Sequence, residues 1–223
     1  MRISVIVPAL NEARGIAVVL GALAPLRSEG HEVLVVDGGS EDGTPDAASP
    51  LADRVLTAAR GRAAQMNAGA AAATGEVFWF LHADTRPEEA ALAALFDALD
   101  EGARWGRFNV RIEGQSRWLR VIAWFMNRRS CLTGIATGDQ GIFVRRHLFA
   151  AVGGFPAIPL MEDIAISRLL KRHSRPACIR QCLMTSGRRW ERRGVWRTIL
   201  LMWRLRLAYH FGADPARLAA RYR

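Results

Sequence analysis

The chain has 223 residues, half of them hydrophobic, which is enough for one substantial core, argues against disorder and points to a single domain. Its formal charge of +10 and pI near 11.1 ask for an anionic partner, and composition alone does not choose among a nucleotide sugar, an acidic membrane surface and a nucleic acid. No stretch reaches the roughly 18 uncharged residues of a membrane-spanning helix.

The nearest approach to such a span, Val195 to Phe211, is interrupted by Arg197, Arg204 and Arg206. Nearly all the positive charge is arginine, Lys171 being the only lysine. Cys131, Cys178 and Cys182 make an odd set that suggests no disulfide framework and suits a reducing compartment, so each is read as a separate thiol. Met1-Arg2 leads directly into a strand without a basic-then-apolar leader, and a cytoplasmic protein is expected.

In chain order, the β-branched run Ile3 to Val7 ends at Pro8, and after Ala9-Leu10-Asn11-Glu12 a helical pattern runs to about Arg27, the opening of a parallel α/β unit. His31 to Val36 reads as a second strand, followed by Asp37-Gly38-Gly39-Ser40-Glu41-Asp42-Gly43-Thr44. Glycines and carboxylates directly after a strand make a turn that offers backbone N–H groups and acidic side chains to a ligand, or an ordinary tight turn with solvated acids. Arg54 to Thr57 is a short third strand. Gly61-Arg62 opens a helix through Gln65 and Asn67 whose small residues, Ala68 to Ala73, allow close packing on the sheet. Arg62, at that helix start, is placed either to reach a nucleotide or to be solvated.

Phe78-Trp79-Phe80-Leu81 then runs into His82-Ala83-Asp84-Thr85-Arg86-Pro87. A continuous apolar run suits a strand covered on both faces. The carboxyl ends of such strands are where an open α/β sheet binds ligands, so Asp84 is placed to hold a metal or a phosphate-bearing substrate. A helix from about Glu88 to Asp100 follows, and Gly106 to Ile112 alternates as a strand. Trp118 to Asn127, flanked by Arg117, Arg120, Arg128 and Arg129, suits a helix with Trp118, Ile122 and Phe125 on one face, directed either to the core or to a membrane interface.

Thr137 to Arg146 reads as a polar loop entering a strand, and Gly153-Gly154-Phe155-Pro156 as a sharp loop. Met161-Glu162-Asp163 starts an amphipathic helix, where paired acids can also be ordinary dipole partners. Pro176 to Thr185 is a strand, and Ser186 to Gly194 a basic and aromatic cluster able to clamp phosphates. Val195 to Tyr222 reads as one long helix and one short helix starting near Asp214-Pro215.

Together, Val5 to Glu12, Val36 to Thr44, Phe80-Leu81-His82-Ala83-Asp84, Met161-Glu162-Asp163 and Arg188-Arg189-Trp190 resemble the family 2 glycosyltransferases over essentially the full chain. Gly138-Asp139-Gln140-Gly141-Ile142-Phe143 and Gly153 to Pro156 resemble a compact bacterial subfamily sometimes labelled as acting on carotenoid acids such as diaponeurosporenoate. The resemblance implies a GT-A fold, an α/β Rossmann-like, mostly parallel sheet flanked by helices. It further implies inverting transfer from a UDP- or GDP-sugar to a hydroxyl or carboxyl acceptor, lipid or carotenoid-like. Pro8, Asn11, Glu12, Asp37, Gly38 and Ser40 would form the nucleotide pocket, with Arg62, Asn67 and Ala83 beside it.

By the same analogy Asp84 would bind Mg²⁺ or Mn²⁺ bridging the diphosphate, Asp163 would be the general base, and Arg189 would stabilise charge. Arg188, Trp190, Glu162, Gly138, Asp139 and Gln140 would line the diphosphate and acceptor side. Many family members carry two aspartates around a middle residue, whereas this chain has His82-Ala83-Asp84, which leaves His82 as metal ligand, nucleotide contact or neither. The resemblance implies no nucleic-acid partner, and peripheral membrane association follows from the two Trp- and Arg-rich helices. Two other readings are a basic polyanion-binding module and a nucleotidyltransferase. The Pro8 to Glu12 loop lacks the glycines, Arg and Lys that the latter usually places after its first strand.

Overall fold

The computed structural model describes residues 1–222. The first half of the chain alternates strand and helix: β1 (Ile3–Ala9), α1 (Ile16–Ala22), α2 (Ala24–Ser28), β2 (Glu32–Asp37), α3 (Thr44–Ala48), β3 (Arg54–Thr57), α4 (Arg62–Ala72), β4 (Val77–Phe80), β5 (Thr85–Pro87) and α5 (Glu89–Asp100). The second half comprises β6 (Trp105–Glu113), α6 (Trp118–Thr133), a 3₁₀ turn over Gly138–Gln140, β7 (Phe143–Arg145), α7 (Arg146–Ala151) and α8 (Glu162–Leu170). It ends with β8 (Ala177–Ser186), α9 (Arg188–Arg193), α10 (Val195–His210) and α11 (Pro215–Tyr222).

The strands form one mixed sheet in the order β3-β2-β1-β4-β7-β6-β8-β5. β1 lies parallel between β2 and β4, β2 pairs parallel with β3, and β6 pairs parallel with β8. The antiparallel pairs are β4–β7, β6–β7 and β5–β8. The carboxyl ends of β1, β2 and β4 therefore meet at one edge, where the β1 loop, the Asp37 turn and the His82–Asp84 segment converge.

The apolar runs are buried on both faces, as a parallel sheet covered by helices requires. Successive side chains of β1 alternate: Val5 and Val7 pack into the core shared with α1 and α5, while Ile6 packs with Leu34, Met66 and Phe149 on the other side. In β4, Trp79 faces the first core and Phe78 and Phe80 the second. The expected closeness of α4 is borne out at Gly69, where a Cβ would stand 2.4 Å from the Ile6 side chain.

Three features depart from expectation. The helix expected up to Arg27 is broken at Leu23, because Pro25 at the start of α2 has no N–H to continue the ladder. β5, α3, α7 and α9 have no counterpart in the sequence reading. β5 is only three residues long, and its register against Leu183–Thr185 is a tertiary contact that no local pattern announces. Finally, Cys131 and Cys178 are disulfide-bonded rather than separate thiols, leaving Cys182 free. They lie 47 residues apart in sequence, and only the approach of α6 to the start of β8 brings their Cα atoms to 5.8 Å.

Candidate active site at the carboxyl edge of the sheet

The turn after β2 is knitted by its own acids. Asp37 Oδ2 accepts the N–H groups of Gly39 and Ser40 at 2.9 Å, and Ser40 Oγ donates to Asp37 Oδ1. Ser40 Oγ in turn accepts the N–H of Asn11 at 2.8 Å, and Asn11 Oδ1 accepts the N–H of Glu41 at 3.0 Å. Asn11 holds φ at 54°, a conformation that Asn tolerates better than most residues. Pro8 is the next-to-last residue of β1, paired with Val36, and the Gly38 N–H donates to the Ala9 carbonyl at 3.0 Å.

Beneath this turn lies Gln65, whose Nε2 donates to the carbonyls of Ala9 and Val36, both at 2.7 Å. A Cβ on Gly38 would stand 3.1 Å from the Gln65 amide. Gln65 is a functional support that sequence reading passed over, its only signal being a polar side chain on an otherwise apolar helix face. Asn67, expected beside the nucleotide, instead bonds both the N–H and the carbonyl of Phe155, at 2.9 and 2.8 Å. Its amide fastens the 153–156 loop to α4.

The His82–Asp84 segment forms the next wall. Ala83 is buried, while Asp84 keeps a partly exposed side chain, with Arg188 Nη2 4.0 Å from its Oδ2. The same Arg188 nitrogen donates to Glu12 Oε2 at 2.7 Å, so one guanidinium spans from the first loop to Asp84. His82 is buried. Its Nδ1 lies 3.1 Å from Asp139 Oδ1, and its Nε2 end abuts Gly138, where a Cβ would come within 2.3 Å. Both ring nitrogens are thus turned to the Gly138–Gln140 segment.

Burial alone would raise the Asp139 carboxyl. The hydrogen bond and charge of His82, with the charges of Arg62 and Arg189, outweigh it and hold that group at about 2. Arg189, lowered by burial and by Arg62, also lies over the Tyr222 ring at 4.5 Å. Arg62 and Arg189 therefore both act on this one carboxylate.

Asp163 stands at the start of α8, its Oδ2 accepting the Gly138 N–H at 3.0 Å and its Oδ1 that of Ile164 at 2.7 Å. Each oxygen keeps a further lone pair. Met161, just before the helix, has φ at 71°, a strained conformation for a side chain of that size and one that re-aims the chain into the acids. Glu162 is buried, and burial together with the Asp163 charge raises its carboxyl above the usual range. His82, Gly138, Glu162 and Asp163 line one recess with Met66 and Phe155.

Two expected contacts fall elsewhere. Gln140 is fully buried, bonded to Thr137, Ser130 and the Phe108 carbonyl, and it supports the turn from behind. Trp190 packs against the Val110, Ile112 and Leu119 cluster under α6. α6 and α10 also carry most of the exposed large apolar residues: Trp118, Val121, Trp124, Phe125 and Leu132 on α6, and Trp196, Leu200, Trp203 and Leu207 on α10, which Phe211 closes. Trp118 and Trp196 touch, with ring centroids 4.8 Å apart, so the two faces are continuous. The core face of α6 is formed instead by Leu119 and Ala123.

Among the described residues no His, Cys, Asp and Glu side chains group in threes around a metal position. One partly exposed carboxylate, Asp84, suits a hard dication that takes its other ligands from substrate phosphates and water.

The Glycosyl transferase family 2 model matches residues 4–152, and the chain belongs to that family. An uncharacterised glycosyltransferase of Nostoc sp. is 35% identical over 91 residues, covering 38% of this chain and 28% of that protein. Among solved structures, mannosyltransferase PcManGT of Pyrobaculum calidifontis with GDP-Man and Mn²⁺ superposes with TM-score 0.66 at 24% identity, covering 94% of this chain and 61% of that one. Staphylococcus aureus TarS in complex with UDP-GlcNAc superposes with TM-score 0.66 at 19% identity, covering 83% of this chain and 58% of its own. Glucosyl-3-phosphoglycerate synthase of Mycobacterium tuberculosis with Mn²⁺ and UDP gives 0.61 at 22% identity, covering 83% and 70%. The chain thus spans less than two thirds of the first two of these structures and under a third of the Nostoc protein. These structures define its sheet as a GT-A fold.

Proposed function

We propose that the chain moves a sugar with inversion from a UDP- or GDP-sugar to an acceptor hydroxyl at a membrane surface, with Mn²⁺ or Mg²⁺ bound at Asp84. The observation that carries this reading is the convergence at one sheet edge of Asp84, the Glu12–Arg188 pair and Asp163 seated on the Gly138 N–H. The Asn11–Asp37–Ser40 network and Gly38 are pre-formed to receive base and ribose.

When bound, the dication would neutralise charge on the departing diphosphate. Arg188, Arg189 and Arg62 add fixed positive charge around the same leaving group. Asp163 takes the proton of the acceptor hydroxyl as its oxygen bonds to the anomeric carbon. The bond from that carbon to the diphosphate oxygen breaks on the opposite side, releasing the nucleoside diphosphate. Such a base supplies roughly 10²- to 10⁴-fold in rate. Asp139, held ionised by His82 and the two arginines, positions the His82 ring and the Gly138 turn beneath Asp163.

Peripheral membrane docking through α6 and α10 is supported by their joined apolar faces and by the absence of any Asp or Glu on either helix beside Arg120, Arg128, Arg197 and Arg204. An anionic bilayer matches that combination.

Isothermal titration with UDP and GDP, with and without Mn²⁺, tests the reading. Metal-strengthened binding that Asp84→Asn weakens is the expected result. Binding of any polyanion with equal strength in both proteins would instead mark a charge-driven module.

A further inference from the structure

α9, which carries the arginines of the site, has little of its own to hold it. It is six residues long, four of them arginine, with no buried residue, and it ends at Gly194, where φ is 82°. A helix so short is not stable alone. On one side Trp190 packs under α6, and Glu191 Oε1 accepts the Gln115 N–H at 2.8 Å. On the other side α9 leans on α11. Arg193 Nη1 donates at 2.8 Å to the Tyr222 carbonyl, one of those that a helix leaves open at its end, and the Arg189 guanidinium lies over the Tyr222 ring at 4.5 Å.

The ring is itself fixed from below. Leu218, 2% exposed, packs with Leu160, Met161, Ile164 and Leu205. Tyr222, one turn further along the same face of α11, packs against that cluster. Asp163 lies between Met161 and Ile164 at the start of α8. One apolar cluster therefore seats both the segment that carries Asp163 and the ring on which Arg189 rests.

Arg189 needs such a seat. Among the described residues no carboxylate comes within 4.0 Å of its guanidinium. Burial and Arg62 lower its pKa, while Asp139 and Asp84 act in the opposite sense from further away. A long arginine side chain has much rotamer freedom to lose. A flat ring under the guanidinium removes part of that freedom in advance and, unlike a carboxylate, leaves the positive charge unpaired for a ligand.

We infer that Tyr222 is the positioning residue of Arg189: its ring holds the guanidinium toward the departing diphosphate, and its seat on the Leu218 cluster keeps that cation in register with Asp163. This rests on the glycosyltransferase reading above. A fixed cation aimed where charge develops acts on the transition state more than on the bound ground state, so the contribution of the ring belongs to kcat rather than to KM.

The test compares two variants of the full chain. Tyr222→Leu keeps an apolar side chain on the cluster and removes the ring, whereas Tyr222→Phe keeps the ring and removes only the hydroxyl. In NMR spectra of the metal-free protein the ring should move the Arg189 Hδ and Nε–H resonances upfield, a shift retained in Tyr222→Phe and lost in Tyr222→Leu. With a sugar nucleotide and Mn²⁺, kcat for donor hydrolysis should fall about two- to five-fold in Tyr222→Leu, the rate equivalent of a surface cation–π pair, with KM and melting unchanged. Tyr222→Phe should match the parent, and in an Arg189→Gln background Tyr222→Leu should cost nothing further.

Absence of the upfield shift, a Tyr222→Leu protein with the parent's kcat, an equal loss in Tyr222→Phe, or additive losses in the double variant overturns the proposal. A loss confined to KM or to melting would mark Tyr222 as merely structural and overturns it as well. A parent that binds neither UDP nor GDP with Mn²⁺ sinks the transferase reading, and the role of the pair with it, even where the upfield shift is present.

Discussion

Gly138 joins the two halves of the site, and Gly138→Ala is the most economical way to break it. An added Cβ would stand 2.3 Å from His82 Nε2 and 2.4 Å from Cε1, so reaching ordinary contact near 3.4 Å needs about 1 Å of retreat. The ring cannot simply swing away, because it is 94% buried and tied to Asp139 at 3.1 Å. If the ring yields, overpacking costs about 1–3 kcal/mol. If the turn yields instead, the Gly138 N–H moves from Asp163, and a hydrogen bond to a carboxylate worth about 1.5–3 kcal/mol is weakened.

By either route a cost of about 1–3 kcal/mol lowers the melting temperature of a chain this size by roughly 2 to 12 °C. Differential scanning calorimetry reads that shift, and sugar-nucleotide hydrolysis in the same samples reads the loss of Asp163 placement. Adding His82→Ala removes the clash, so the double variant should recover at least about 1 kcal/mol over the sum of the singles. A Gly138→Ala protein melting within a degree of the parent, or a double variant with additive losses, would refute the contact on which the reasoning rests.

Asp163→Asn keeps one acceptor oxygen for the Gly138 and Ile164 N–H groups, so it should lower melting modestly, leave nucleotide affinity intact and reduce transfer by roughly 10²-fold or more, and undiminished turnover would remove the base assignment. Glu162 has a folded-state pKa raised above the ordinary 4.5 by burial and Asp163, so its contribution to stability is fully present below pH 4.5 and is lost as pH rises through the raised value. Glu162→Gln should therefore melt higher than the parent at pH 8, with the advantage vanishing near pH 4, and the opposite trend in paired thermal scans would contradict it. Reducing the Cys131–Cys178 bond releases a 47-residue loop and should cost about 2–4 kcal/mol in urea unfolding, whereas identical curves with and without dithiothreitol would show that the bond does not form in solution. Replacing Trp124 and Trp203, 56% and 72% exposed, with Ala should leave melting unchanged while weakening sedimentation with anionic liposomes, and unchanged sedimentation would dismiss the membrane face.

The sequence determined the sheet and its edge. Apolar runs bounded by Pro8, the Asp37-Gly38-Gly39 turn and Asp84 are local signals, because a strand covered on both faces needs β-branched and aromatic residues throughout and must stop where polar groups begin. Residue type likewise marked Asp84 and the Arg188–Arg189 pair as candidate chemistry, since carboxylates and guanidiniums at element ends are legible without a fold, whereas Asp163 became a candidate base only through the family resemblance.

What each of them touches was decided by tertiary structure. For His82 the sequence left metal ligand, nucleotide contact or neither open, and only the Gly138–Gln140 turn, more than fifty residues on, shows what encloses its ring. Asn67 and Gln140 looked like ligand contacts, yet each satisfies backbone or side-chain groups brought from distant segments. The disulfide and β5 have the same origin: their partners are far away in the chain, and no periodicity in either segment encodes a meeting that only the packed sheet brings about.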